Sequence, residues 1–224
     1  MIPWEILGRA VRSEGDELTL HHRGGEFVIR VGGRELMSSR VHYSEEEMAR
    51  LAVKRLGARQ NIRLLIGGLG MGFTLRAALD ALPPQSSVTV AEIEPEVVAW
   101  NQGPLADLAG RPLEDRRAHI VVKDVSQVIS DEKIGFDAIL LDVDNGPEGL
   151  ALKSNSALYS DSGLLRARSA LRPGGLFAVW SASPDATFLK RLQRAGFSSE
   201  AMRIRQRSSR TKGTHHTIFF GILR

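Results

Sequence analysis

Four acidic residues and a run of glycines are the groups in this 224-residue chain whose types and spacing could do chemistry. Gly67 and Gly68, with Gly70 and Gly72, lie in the segment LLIGGLGMGF, where a buried strand over residues 64–66 would turn tightly into a helix over 74–82. A second strand over 88–91 then delivers Glu92 twenty residues after Gly72. That spacing suits a carboxylate that accepts hydrogen bonds from the two hydroxyls of a ribose, with the adenosine lying over the glycine turn. Asp124 follows the apolar run 120–122 and is placed to accept from an adenine amino group, with Val125 beside the ring; capping the next helix is its competing role. Asp142 ends the apolar strand AILLD and is followed by Asp144 and Asn145. A carboxylate there can orient a nucleophile, take its proton or face a positive sulfur, so Asp142, Asp144 and Asn145 form the candidate catalytic set.

The glycine pattern is G-x-G-x-G, because Phe73 stands where a dinucleotide fingerprint needs its third glycine. It resembles the turn of S-adenosylmethionine-type transferases, whose ligand carries no phosphate. The wider set of motifs resembles the spermidine synthase family: IGGLGMG its glycine loop, VAEIEPEVV its ribose segment, Lys123-Asp124 its adenine turn, and AILLDVDNGP its catalytic loop. Residues 158–180 resemble the helix and strand that follow that loop, and the N-terminal hairpins its small β-domain. The resemblance implies a donor substrate, S-adenosylmethionine or its decarboxylated form, with Glu92 on ribose, Asp124 on adenine and the Asp142 loop at the transfer site.

Three positions depart from the family pattern. Leu69, Gly70 and Met71 stand where the glycine loop carries an aspartate, Asn145 stands for the second aspartate of D-x-x-D, and Glu45 stands for a tyrosine. Fewer carboxylates for a polycation imply a small-molecule acceptor other than a standard diamine. True spermidine synthase with a rearranged loop, Asp144 and Glu45 supplying the missing charge, is the alternative. A non-catalytic nucleoside- or nucleic-acid-binding protein is the other.

The elements that must position these groups follow from pattern. Strands and helices alternate from Arg63 onward, which predicts an α/β fold with a doubly wound, mostly parallel sheet of the class I methyltransferase type, closed by an antiparallel hairpin over 200–207 and 216–223. Residues 17–21, 27–31 and 35–37, separated by Gly-rich turns, predict a small N-terminal β-hairpin domain over 1–43 ahead of a Rossmann-like domain over 44–224. So small a sheet needs a surface to pack on, and a homodimer is expected. Ser44 is predicted to cap a helix, with Glu47 completing a capping box and Met48, Leu51, Ala52 and Leu56 on one face.

Composition narrows the function classes. With no cysteine, thiolate catalysis and cysteine-ligated metals are excluded. The pairs His21-His22 and His215-His216 point to opposite faces of a strand, so no metal is assigned. No apolar run approaches a membrane span, and a cytoplasmic protein without a membrane partner is expected. Net charge is +4, yet from Leu189 onward nine Lys or Arg face a single Glu. Arg203, Arg205, Arg207, Arg210 and Lys212 could meet phosphates, but no aromatic residue is interleaved to stack on bases, so nucleic acid is not the favoured partner.

Overall fold

The computed structural model describes residues 2–12, 15–131, 135–143, 147, 157–206 and 215–223. Asp144 and Asn145 lie outside the described residues, as do Arg207, Arg210 and Lys212.

Four strands, β1 (Glu5–Val11), β2 (Glu17–Arg23), β3 (Glu26–Val31) and β4 (Arg34–Ser38), form an antiparallel meander. The sequence reading had no strand at β1. Only Ala10 of its seven residues is buried, so the apolar alternation that marks a strand is absent. Its anchor is Gly8, where any Cβ would strike the Trp100 indole.

Helix α1 (Tyr43–Leu56) follows, and the cap predicted for it is corrected. His42 occupies the N-cap position without a side-chain capping bond, its ring meeting Glu46 at 2.7 Å instead, Glu47 pairs with Arg50 at 3.1 Å, and Ser44 is buried inside the first turn. Ser44 has better partners in the tertiary structure than a local amide offers. The buried face runs through Glu45, Met48, Ala49, Ala52, Val53 and Leu56, rotated from the predicted stripe so that Leu51 is only partly buried.

The large sheet contains β5 (Arg63–Gly67), β6 (Ser87–Glu92), β7 (Ala118–Val122), β8 (Phe136–Leu141), β9 (Leu171–Ser181), β10 (Phe197–Arg205) and β11 (His215–Leu223), in the spatial order β10-β11-β9-β8-β5-β6-β7. β5 to β9 are mutually parallel, and β11 and β10 close the sheet antiparallel. Crossovers run through α2 (Phe73–Ala81), α3 (Pro95–Gln102), α4 (Val125–Asp131) and α5 (Asp161–Ala170), and α6 (Ala186–Arg194) precedes the closing hairpin. The expected doubly wound α/β fold is therefore present.

Strand alternation sorts the core into two layers. Leu64, Ile66, Ala138 and Leu140 face α1, α2 and the small sheet, whereas Leu65, Ile139 and Leu141 face α4, α5 and α6. Leu18, Leu20 and Ile29 of the small sheet belong to the first layer, so the meander packs on the α/β core. The chain order reverses between β5 and β8, where Gly67 pairs with Leu141. Such a switch point opens a crevice at the carboxyl ends of the strands.

Candidate active site

A pocket occupies that crevice. Gly68, Gly70, Glu92, Asp124, Val125 and Asp142 line it together, all at or just beyond the carboxyl ends of β5, β6, β7 and β8. Gly67 and Gly72 stand behind this wall. Gly67 is the last residue of β5, packed so closely on Val125 that a Cβ would lie 2.9 Å from its Cγ2, and Gly72 is the N-cap of α2.

The glycine loop is held from several sides. Glu92, nearly fully buried, accepts from the Leu69 amide through Oε2 and from the Glu94 amide through Oε1, both at 2.9 Å. Burial raises its pKa while these amides work against the rise. Asn101 donates to the carbonyls of Gly70 at 2.8 Å and Val97 at 2.9 Å, tying the loop to α3. From the small sheet Met37 reaches over Gly70, where a Cβ would come 2.8 Å from its Cε. Leu18, Ile29 and Leu36 complete this wall, so the meander roofs the pocket.

Asp124 has the capping role weighed for it and also lies in the pocket wall. Its Oδ1 accepts from the Ser126 amide at 2.7 Å at the start of α4.

One end of the pocket is built from Asp142 and Glu45, which the sequence pattern brings to the site only in the alternative reading, as a source of missing charge. Asp142 accepts from the Thr74 hydroxyl, and its amide donates to Gly67 O at 2.9 Å. Burial pushes its carboxyl up to about 6. Glu45 enters the pocket from α1, opposite in sequence but adjacent in space, and is raised to about 8, first by burial and then by the charge of Asp142. The signal was available: Glu45 sits three, four and seven residues before Met48, Ala49 and Ala52, on the apolar stripe of α1.

Among the described residues the cations lining the pocket, Arg12 and Lys123, are already paired. Arg12 meets Glu94 at 2.7 Å, with both side chains largely buried, and Lys123 meets Asp131 at 2.5 Å. Against them stand Glu45, Glu92, Asp124 and Asp142, so the lining among the described residues carries an excess of carboxylates. Such a site is suited to a cation. Trp180 supplies part of its wall, while Trp100 packs in the core. Arg203 and Arg205 are exposed on β10, the edge strand.

An α/β sheet with a glycine turn after its first strand and an acid ending its second is the class I methyltransferase-like fold. Within that fold, residues 42–193 match the spermine/spermidine synthase domain, and the chain belongs to that family. A polyamine aminopropyltransferase of Mycobacterium tuberculosis is 28% identical over 174 residues, covering 76% of this chain and 32% of that protein. One from Prochlorococcus marinus is 29% identical over 167 residues, covering 71% and 56%. The chain thus spans about a third and just over half of the lengths of these two relatives. Among solved structures, spermidine synthase from Thermotoga maritima superposes with a TM-score of 0.76 at 16% identity, over 97% of this chain and 72% of that one. A probable spermidine synthase from Corynebacterium glutamicum gives 0.67 at 18% identity, over 97% and 80%. At these identities the structural likeness concerns the fold. No helix among the described residues is long and apolar enough to cross a membrane.

Proposed function

We propose that this chain transfers an aminopropyl group from decarboxylated S-adenosylmethionine to an amine. The observation that carries this reading is the carboxylate pair of buried Glu45 and part-buried Asp142 at one end of the pocket. Intact S-adenosylmethionine would bring its own carboxylate toward that pair, and like charges 4–8 Å apart repel by about 2–4 kcal/mol at an effective dielectric of 20. The decarboxylated donor brings an ammonium and a sulfonium instead, and the acceptor amine adds a further cation.

In this reading Glu92 holds the ribose, Asp124 the adenine amino group and Val125 the ring face. Gly68 and Gly70 let the adenosyl group approach the backbone. Asp142 faces the sulfonium and the amines, and Thr74 fixes its orientation. The rate comes mainly from aligning the acceptor nitrogen with the reacting carbon in a site from which the small sheet excludes water. No metal is assigned. The acceptor we favour is an amine other than a plain diamine, because Asn145 replaces an acid of the family pattern. Glu45 restores one carboxylate, which keeps true spermidine synthase as the second reading. The expected homodimer belongs to the same proposal, since β1 exposes Ile6, Leu7 and Val11 beside an open sheet edge.

Calorimetry with the two donors side by side tests the donor. The decarboxylated form is expected to bind at least about tenfold more tightly, the effect of 1.4 kcal/mol or more; equal affinity or preference for the intact donor would overturn the assignment. Glu92→Ala is expected to weaken the preferred donor by about 100-fold, since hydrogen bonds to a charged acceptor contribute roughly 1.5–3 kcal/mol each. An unchanged affinity would remove Glu92 from the ribose site. A panel of amines then separates the acceptor readings: turnover of putrescine as fast as any other amine favours true spermidine synthase.

A further inference from the structure

Ser44 has more hydrogen-bond partners than a hydroxyl can satisfy at once. It is fully buried, and its oxygen lies 2.8 Å from Trp180 Nε1, 2.8 Å from Gln206 Nε2, 2.8 Å from Glu45 Oε2 and 2.7 Å from His216 Nδ1. A hydroxyl offers one proton and two lone pairs. The indole N–H can only donate, so Trp180 takes one lone pair. The Gln206 amide nitrogen also donates, and the same nitrogen lies 3.0 Å from His216 Nδ1. The single proton of Ser44 is therefore contested between the Glu45 carboxylate and the His216 imidazole. When Glu45 is ionised it takes that proton. When Glu45 is protonated it donates to Ser44 in place of Gln206, and the hydroxyl turns to His216.

These residues come from three distant parts of the chain and meet behind the reactive end of the pocket. Glu45 lines the pocket, Ser44 is sealed in the wall, and His216 is only half-buried on β11. Its ring meets Trp180 edge-on, with 4.7 Å between centroids. Burial lowers the His216 pKa and so favours the neutral imidazole, whose Nδ1 accepts in the tautomer protonated at Nε2. The charged groups that bear on Glu45 are Asp142 at the end of β8 and Glu46 on its own helix.

We propose that Glu45, Ser44 and His216 form a proton relay that carries the proton given up by the acceptor amine out of the pocket. The inference rests on the aminopropyl-transfer reading and extends it. The acceptor enters as an ammonium and gives one proton to Glu45 in its ionised form, the form that dominates above about pH 8. The freed nitrogen lone pair attacks the aminopropyl carbon next to sulfur; the C–N bond forms, the C–S bond breaks, and its electron pair neutralises the sulfonium to a thioether. The product nitrogen keeps its remaining two protons as a secondary ammonium, so one proton per turnover must leave. Glu45 passes it to Ser44 as Ser44 passes its own to His216 Nδ1, and the imidazolium releases a proton to solvent.

Nitrogen-15 NMR of the imidazoles, titrated from about pH 6 to 9 across the range where histidine and the raised carboxyl change state, tests the relay without turnover. The expected result is a step in the His216 Nδ1 shift as Glu45 ionises near 8, absent in Ser44→Ala and in Glu45→Gln. No step in the wild type, or a step that survives in Glu45→Gln, would overturn the relay. Should Ser44→Ala fail to fold, Glu45→Gln carries the same comparison. In turnover, His216→Ala is expected to lower kcat at least about tenfold with KM little changed, and added imidazole to restore it. Wild-type kcat in His216→Ala would also overturn the relay as the proton's route. A wild type that shows the NMR step but transfers no aminopropyl group to any amine would overturn the function reading and leave the hydrogen-bonded relay standing.

Discussion

Asp142→Asn lowers kcat/KM for aminopropyl transfer by about 100- to 1,000-fold and, above pH 7, raises the thermal midpoint. In the proposed aminopropyl transfer, the first effect follows from removing the charge assigned to face the sulfonium and the amines, a loss of the size typical for a positioned acid–base group. The second follows from the cost of keeping that charge buried. Its carboxyl titrates at about 6 in the fold against 3.8 for an ordinary aspartate. The folded protein therefore binds more protons than the unfolded chain between these values, and stability falls as pH rises through them. Below about pH 4 the residue is protonated in both states and the penalty is absent. A displacement of roughly two units corresponds to about 3 kcal/mol, or a gain of several degrees for a chain of this size. Asparagine keeps an oxygen for the Thr74 hydroxyl, so the local geometry is retained. Because the charge of Asp142 is the second cause of the raised Glu45 pKa, the variant also moves the ionisation of Glu45 below about 8. Initial rates and melting curves at pH 5 and 8 check both effects. A rate within a few-fold of wild type, or a lower midpoint at pH 8, would reject the role given to this charge.

How much of this was legible in the sequence depended on whether the signal was local. The glycine turn and Glu92 were readable because strand, turn, helix and acid follow one another along the chain, and a fixed spacing implies a fixed place in space. Asp142 was readable because it ends a wholly buried parallel strand, whose carboxyl end faces the crevice of any doubly wound sheet. Ser44 was misread for the opposite reason. Its local context satisfies every rule for a helix cap, and the groups that claim its hydroxyl stand 136, 162 and 172 residues away. β1 escaped because an edge strand with one buried side chain has no period to detect. Its attachment depends on an absent side chain, that of Gly8, fitting the face of Trp100. Glu45 lies between these cases. Its position on the apolar stripe of α1 was visible, but it entered only as a substitute charge in the alternative reading, so the stripe went unused.

Gly68→Ala is expected to lower both the melting temperature and donor affinity, and the reason lies in two independent costs. Gly68 has φ +89°, a conformation that costs an L-residue roughly 1–2 kcal/mol. Its Cβ would also be driven into the backbone carbonyl of Asp142, which is held by its own strand and cannot turn aside as a side-chain end could. Overpacking of this kind adds about 1–3 kcal/mol. Together the costs amount to roughly 3 kcal/mol, a fall of about 6–12 °C for a chain of this length. Gly33→Ala separates the two, because Gly33 has φ +79° and nothing within 4 Å of the added Cβ. It should show only the backbone cost. The excess in Gly68→Ala measures the contact between the carboxyl ends of β5 and β8. Relieving that contact requires those ends to part, which carries Asp142 away from Glu45 and the glycine loop away from Glu92. Donor binding should therefore fall even at temperatures where Gly68→Ala is fully folded, whereas Gly33→Ala should bind as the wild type does. Equal destabilisation of the two variants, with donor affinity intact in both, would mean that the spacing of β5 and β8 does not set the geometry of the site.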